Sequence, residues 1–309
     1  MNMKKLEENY LNGKVSKPDF ISRMYKENHG VFFEYADFIK NRDIQRIEIT
    51  DDSVVMTSRE LGIKVACSKF DERTAPIEIL NFKNYEKYDS DMIFRLVNDS
   101  NTVFDISGNI GWYAIGISKA KKNIDMHTFE PILSTYESLV GNAKINGVEI
   151  KINNFGLSDN KQDLVFYFHK EGSGNASAAI MNDDRENIEV KCHVDTLDNY
   201  FKDNGIEKLD FIKCDVEGAE LLTFKGGIET ISKHKPIVFT EMLRKWSEKF
   251  DYNPNEIIDL FRNIGYGCYF VVGDKLEEIV IMTDKTIETN FFFLHKEKHQ
   301  DKLKELLVS

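Results

Sequence analysis

The segment Val103-Phe104-Asp105-Ile106-Ser107-Gly108-Asn109-Ile110-Gly111-Trp112 ends a short apolar run and opens a helix-like one. At such a strand-to-helix turn, backbone N–H groups and the helix N-terminus face a ligand, and small residues let the main chain approach it. Only Gly108 and Gly111 are present, so the spacing is G-x-x-G and not G-x-G-x-x-G. Alone, it describes a tight turn equally well. Two acids narrow the choice. Asp105, just before the turn, would repel a pyrophosphate but pair with an ammonium group. Glu130 closes the next apolar run, where an acid hydrogen-bonds ribose hydroxyls. Together they select a nucleoside carrying a positive amino-acid tail. S-adenosylmethionine answers that description; NAD answers it less well.

Methyl transfer from a sulfonium is an in-line displacement, so a protein must align donor and acceptor and, for a hydroxyl, supply a base. Ligands of open α/β sheets sit at the carboxyl ends of strands. Asp215 and Glu217 follow the run Phe211–Lys213 there, and Glu241 ends Ile237–Thr240. Asp215 is expected to orient the cofactor or act as base; the other reading is a cap for the next helix. Glu217 and Glu220 fall in that helix's first turn, where acids suit the dipole, and Glu220 reads as structural. His193, after a hairpin strand, is a further base candidate, whereas His127 reads as a core histidine. Lys213 would be costly to bury unpaired, so it either faces the cleft on the acceptor side or covers a helix edge. The small residues of 171–177, with Ser173, Asn175 and Ser177, could pack on a polar acceptor or form a plain turn. Asp215, Glu217 and Glu241 could offer oxygen ligands to Mg²⁺, but no paired-acid motif demands a metal and none is expected.

Elements must carry these residues. Apolar runs at 102–106, 126–129, 149–153, 211–213 and 237–240 alternate with helical stretches, which predicts a parallel sheet with helices on both faces. Runs at 268–272 and 290–294 follow one another and predict an antiparallel edge, seven strands in all. Leu164–Phe168 and Ile188–Cys192 read as an inserted hairpin. Ser134 with Glu137 has the form of a capping box. Asn253-Pro254-Asn255-Glu256 opens a helix whose stripe is Ile257, Leu260, Phe261 and Ile264, stopped by Gly265. Ahead of this lie a charged helical stretch to about residue 45, strand-like runs at 46–49, 54–57 and 63–67, a stretch without clear period at 70–85, and a helix at 89–97. The division expected is an N-terminal α+β extension (1–88), covering the acceptor pocket or forming a homodimer contact, and a ligand-binding domain (89–309).

The chain has 309 residues, with 41% hydrophobic and 30% charged residues, which is ordinary for a globular protein. A formal charge of −11 disfavours a nucleic-acid partner. Four cysteines without a C-x-x-C pair indicate neither zinc nor disulfides. The N-terminus lacks a signal-peptide core and no run reaches membrane-helix length, so a cytoplasmic protein without membrane contact is expected.

In order, V-F-D-I-S-G-N-I-G-W, T-F-E-P, N-F-G-L-S-D, F-I-K-C-D-V-E-G-A-E and I-V-F-T-E resemble the FkbM family of S-adenosylmethionine-dependent methyltransferases, over roughly residues 85–245. The resemblance implies a Rossmann-like class I methyltransferase fold. It puts Asp105, Ser107, Gly108, Asn109 and Gly111 on the methionine-side turn, Glu130 on the ribose, and Asn154, Phe155 and Gly156 at the adenine edge. Tyr85 and Glu86 match a Tyr-Glu pair ahead of the family's first strand, and the 171–177 segment matches a serine-rich acceptor side. The family turn is D-x-G-A-N-x-G, so Ser107 stands for a glycine and Gly108 for an alanine. The implied reaction is O-methylation of a saccharide, sugar nucleotide or secondary metabolite. The rival readings are a non-catalytic module binding the cofactor or its product, and, ranked lower for want of its glycine loop, a nicotinamide oxidoreductase.

Overall fold

The computed structural model describes residues 3–169, 172–177 and 188–308, with side chains for all of these except 168, 169 and 172–177. The chain opens with three short helices, α1 (Met3–Leu11), α2 (Lys17–Met24) and α3 (Val31–Phe38). Strands β1 (Ile44–Ile49), β2 (Val54–Ser58) and β3 (Lys64–Cys67) then form an antiparallel sheet in the order β1-β2-β3. Helices α4 (Ala75–Phe82) and α5 (Lys87–Leu96) follow. α4 forms where the sequence shows no clear period: Pro76 pre-sets its first turn, and Ala75, Pro76, Ile79 and Leu80 go into the core.

The larger part alternates strands and helices: β4 (Thr102–Ile106), α6 (Trp112–Ala120), β5 (Asp125–Phe129), α7 (Leu133–Asn146), β6 (Lys151–Asn153), β7 (Gly156–Leu157), β8 (Gln162–His169), β9 (Gly172–Ser177), β10 (Ile188–Asp195), α8 (Leu197–Asp203), β11 (Phe211–Cys214), α9 (Glu220–Lys225), α10 (Ile228–His234), β12 (Ile237–Glu241), α11 (Arg244–Ser247), α12 (Asn255–Asn263), β13 (Tyr266–Val272), β14 (Lys275–Ile279), β15 (Asn290–His295) and α13 (Gln300–Leu306). The main sheet has the order β14-β13-β15-β12-β11-β4-β5-β6. Its strands from β12 to β6 are parallel, and β15 runs antiparallel to both β12 and β13. The eighth strand, β14, pairs antiparallel with β13 and brings the sheet to one more strand than expected. Its Glu277 and Glu278 are exposed and Leu276 alone is buried, so it carries no apolar run.

The inserted hairpin is present, with Ile188 opposite Phe168 and Val194 opposite Gln162. The segment expected as a loop is corrected in part: Gly172–Ser177 is strand β9, paired along β8. The capping box is also corrected. α7 begins at Leu133, one residue before Ser134, and the Glu130 carboxylate accepts the Ile132 N–H instead (3.0 Å).

Side chains alternate between the faces of the central strands. Val103, Phe211 and Ile237 join a core under α5, α6, β1–β3 and α13, while Phe104, Ile212 and Val238 join the opposite core under α8, α9 and α12. Asp105 and Lys213 stand two residues after Val103 and Phe211, so both point to the α6 side.

Candidate functional site

The turn after β4 is held in an unusual backbone. Ser107, Asn109 and Gly111 all have positive φ, at +64°, +49° and +91°. Gly108 is in closest contact: a Cβ there would lie 2.0 Å from Thr128 Oγ1 on β5. The turn is tied down at three points. Gly108 N–H donates to Phe129 O (3.0 Å), Asn109 N–H to Glu130 Oε2 (3.1 Å), and Lys213 Nζ to Ser107 O (3.0 Å).

Two cavities meet at this turn. One is a narrow slot of about 50 Å³ over the ends of β4 and β5, with Leu157, Leu164, Phe166 and Val216 as apolar walls. Of the cofactor candidates, Ser107, Asn109, Glu130 and Gly156 line it. Burial pushes the Glu130 carboxyl up to about 7, against the two backbone N–H groups it accepts from. Asn154 donates to the carbonyls of Glu130 and Pro131 (2.9 and 3.2 Å) and Phe155 packs on Phe129 and Tyr200, and neither lines the slot or the groove.

The other is an open groove of about 610 Å³, lined by Asn109, Tyr85, Glu86, Asp215, Glu217 and Glu241 together with Trp246, Lys245 and Arg73. Asp215, Glu217 and Glu241 present carboxylate oxygens within 4.8 Å of one another. Such a group suits a cationic ligand or a hard divalent ion. Burial, then the Asp215 charge, holds the carboxyls of Glu217 and Glu241 well above the ordinary range. Glu86 is exposed to the groove, yet the surrounding elements crowd its carboxyl. Burial raises it to about 7, the Tyr113 hydroxyl donating at 2.5 Å draws it down, and Asp215 pushes it up.

The loop 215–219 separates the cavities, with Asp215 and Glu217 facing the groove, Val216 and Ala219 the slot. Its shape comes from buried Glu220, whose Oε1 accepts the N–H groups of Val216 (3.0 Å) and Gly218 (3.1 Å). Asp215 does not cap α9, which starts after Ala219 without a side-chain cap.

Three expectations need correction. Asp105 lines neither cavity; it is 1% exposed beneath α6, with Lys213 Nζ 3.6 Å from Oδ1. Lys213 is no acceptor-side residue: it is buried, pairs with Asp105 and with Asp215 (3.5 Å), and supports the turn through Ser107. These charges keep its ammonium protonated despite burial. His193 stands apart from the acids, exposed on β10 and paired with Asp163 (3.1 Å). The side chains of Ser173, Asn175 and Ser177 lie outside the described residues. His127 is a satisfied core histidine, bonded to Tyr200 (2.8 Å). Sequence reasoning passed over Trp246 and Lys245, which sit just past the strand-end acid Glu241; that position was their only signal.

The methyltransferase FkbM domain matches residues 105–268, the stretch that carries the central strands and the acids at their ends. This chain belongs to the FkbM methyltransferase family. It is a methyltransferase, and its large, mostly parallel sheet flanked by helices is an α/β fold. Methyltransferase sdnD of Sordaria araneosa is 24% identical over 193 residues, covering 52% of this chain and 73% of that protein. Among solved structures, the FkbM methyltransferase of Methylobacillus flagellatus KT is 17% identical with a TM-score of 0.40, covering 64% of this chain but only 44% of the other. A putative caffeoyl-CoA O-methyltransferase from Staphylococcus aureus is 12% identical with a TM-score of 0.42, covering 71% and 88%. Among the described residues, no helix is long and apolar enough to cross a membrane.

Proposed function

We propose that this methyltransferase uses S-adenosylmethionine and methylates a hydroxyl of a saccharide, sugar nucleotide or secondary metabolite. Asn109 carries the reading. It lines both cavities, so a ligand with an apolar base and a cationic tail can pass from slot to groove across the turn. Its Oδ1 is buried without a hydrogen-bond partner among the described residues.

When bound, S-adenosylmethionine supplies a methyl group activated by a positive sulfur. Glu130 keeps lone pairs beyond those taken by Asn109 and Ile132, and these hold the ribose hydroxyls. Asp215 and Glu217 would hold the ammonium group of its methionine tail. Beside that positive charge Glu241 ionises more readily, orients the acceptor hydroxyl, and takes its proton as the oxygen–methyl bond forms. Tyr85 and Trp246 in the lining offer aromatic surface that suits the apolar face of a sugar ring.

Titration calorimetry with S-adenosylmethionine and with NADH tests the first half, with binding expected only for the former. Formation of S-adenosylhomocysteine against a panel of sugar nucleotides tests the second, with Glu241→Gln expected to lose turnover but keep cofactor affinity. Absent S-adenosylmethionine binding overturns the reading; turnover only with amine acceptors overturns the hydroxyl assignment.

A further inference from the structure

The loop 215–219 holds a shape that costs energy. Glu217 and Gly218 both have positive φ, at +53° and +104°, a region that a residue with a side chain, such as Glu217, enters only at a cost. A Cβ at Gly218 would lie 2.8 Å from Trp246 O, so the loop sits tightly on α11. It also brings Asp215 and Glu217 within 4.8 Å of Glu241, where like charges push the carboxylates apart. Glu220 opposes both effects from outside the two cavities: it lines neither, and it is 3% exposed. The Val216 and Gly218 N–H groups that its Oε1 accepts belong to the peptide units that follow Asp215 and Glu217. Those peptides set ψ at each acid, and with it the direction its side chain takes from the main chain. On the other oxygen, Oε2 accepts the hydroxyl of buried Tyr252, in the link between α11 and α12 (3.2 Å).

We propose that Glu220, steadied by Tyr252, is a positioning residue for cofactor binding: it presets the loop so that Asp215 and Glu217 face the groove before the methionine tail arrives. The inference rests on the reading that these two acids hold the ammonium group of that tail. Val216 and Gly218 precede α9, so the two bonds shape the loop and not the helix. A preset site binds more tightly because the ligand does not have to supply the ordering. Without the carboxylate, the loop relaxes from positive φ and repulsion carries the acids apart. Affinity then falls although no group that touches the ligand has changed.

Titration calorimetry with S-adenosylmethionine, on folded full-length protein well below each melting temperature, is the test. Glu220→Leu is expected to weaken binding at least roughly tenfold. Glu220→Gln, which keeps an oxygen for the two N–H groups, should recover most of that loss. Asp215→Ala/Glu217→Ala should itself weaken binding, and adding Glu220→Leu to that pair should cost less than about threefold more, because no acids remain to be aimed. If Glu220→Leu does not fold, Tyr252→Phe, which leaves Oε2 unheld, takes its place in both backgrounds with an expected loss of about threefold. A role in stability alone predicts a lower melting temperature with unchanged affinity, and that result overturns the proposal. So does a loss that persists in full in the Asp215→Ala/Glu217→Ala background. If that pair binds S-adenosylmethionine as the wild type does, the tail reading itself fails, and the proposal with it.

Discussion

At position 107 the main chain holds φ of +64° with a serine in place, and the next residue has no room for a side chain. The left-handed region costs an ordinary residue about 1 kcal/mol or more, and the Lys213 bond to the Ser107 carbonyl is what over-determines it here. Thr128 excludes the family's alanine at 108. Gly108→Ala should therefore destabilise the fold by about 1–3 kcal/mol, while Thr128→Ala/Gly108→Ala should recover more than half of that loss. A double-mutant cycle by denaturant unfolding checks it, and additive losses would sink the idea. The turn was legible from the spacing of Asp105, Gly108 and Gly111. The part played by Thr128 was not, because it depends on the β4–β5 register that sets Asp105 beside Thr128. The acids make a second prediction at this scale. Glu241 is raised from 4.5 to about 9, burial first and Asp215 next, so the folded protein binds this proton more tightly than the unfolded chain. Its contribution is fully present below the unfolded value and is lost as pH rises towards 9. The melting temperature of Glu241→Gln should thus fall less than that of the wild type between pH 5 and pH 9. Parallel profiles would exclude the assignment.

Strand pairing decides what Asp105 does. In the parallel β4–β11 ladder Asp105 stands opposite Lys213, and the two-residue period turns both under α6. The strand-end position was readable from sequence; the face was not, because strands buried on both sides show no polar–apolar alternation. Read alone, Asp105 looked like a partner for a ligand's ammonium. In place, its partner is an ammonium of the same sheet. Removing that cation leaves Asp105 buried and uncompensated, so Lys213→Met should cost about 3–5 kcal/mol. Adding Asp105→Asn, which takes away the stranded charge, should restore much of the loss. Equilibrium unfolding of the two variants decides this: a double variant no more stable than Lys213→Met would show that Lys213 acts through packing and the Ser107 bond, and not through charge.

Over the whole molecule, one of the two cores is closed by segments far apart in the chain. Ile44, Met56 and Val65 from the N-terminal sheet, and Ile63 just ahead of β3, pack with Ile115 and Ile117 of α6, and Leu303 and Leu306 of α13 complete the same layer. The contact is tight at Gly116, where a Cβ would lie 3.0 Å from Ile63 Cδ1. The alternation of strands and helices is readable only from residue 101 onward, so the N-terminal sheet looked like an appendage; its short runs say nothing of which helix they cover. The arm ahead of it is different, since Leu6 is the one buried residue among 3–40. Deleting residues 1–38 should leave the protomer's cooperative unfolding within about 1 kcal/mol of the full chain. Deleting residues 1–68 should strip the cover from α6, broaden the thermal transition and expose apolar surface that binds a hydrophobic dye. Calorimetry of both truncations separates the two roles. A sharp transition at an unchanged temperature in the longer deletion would mean that α6 does not depend on β1–β3.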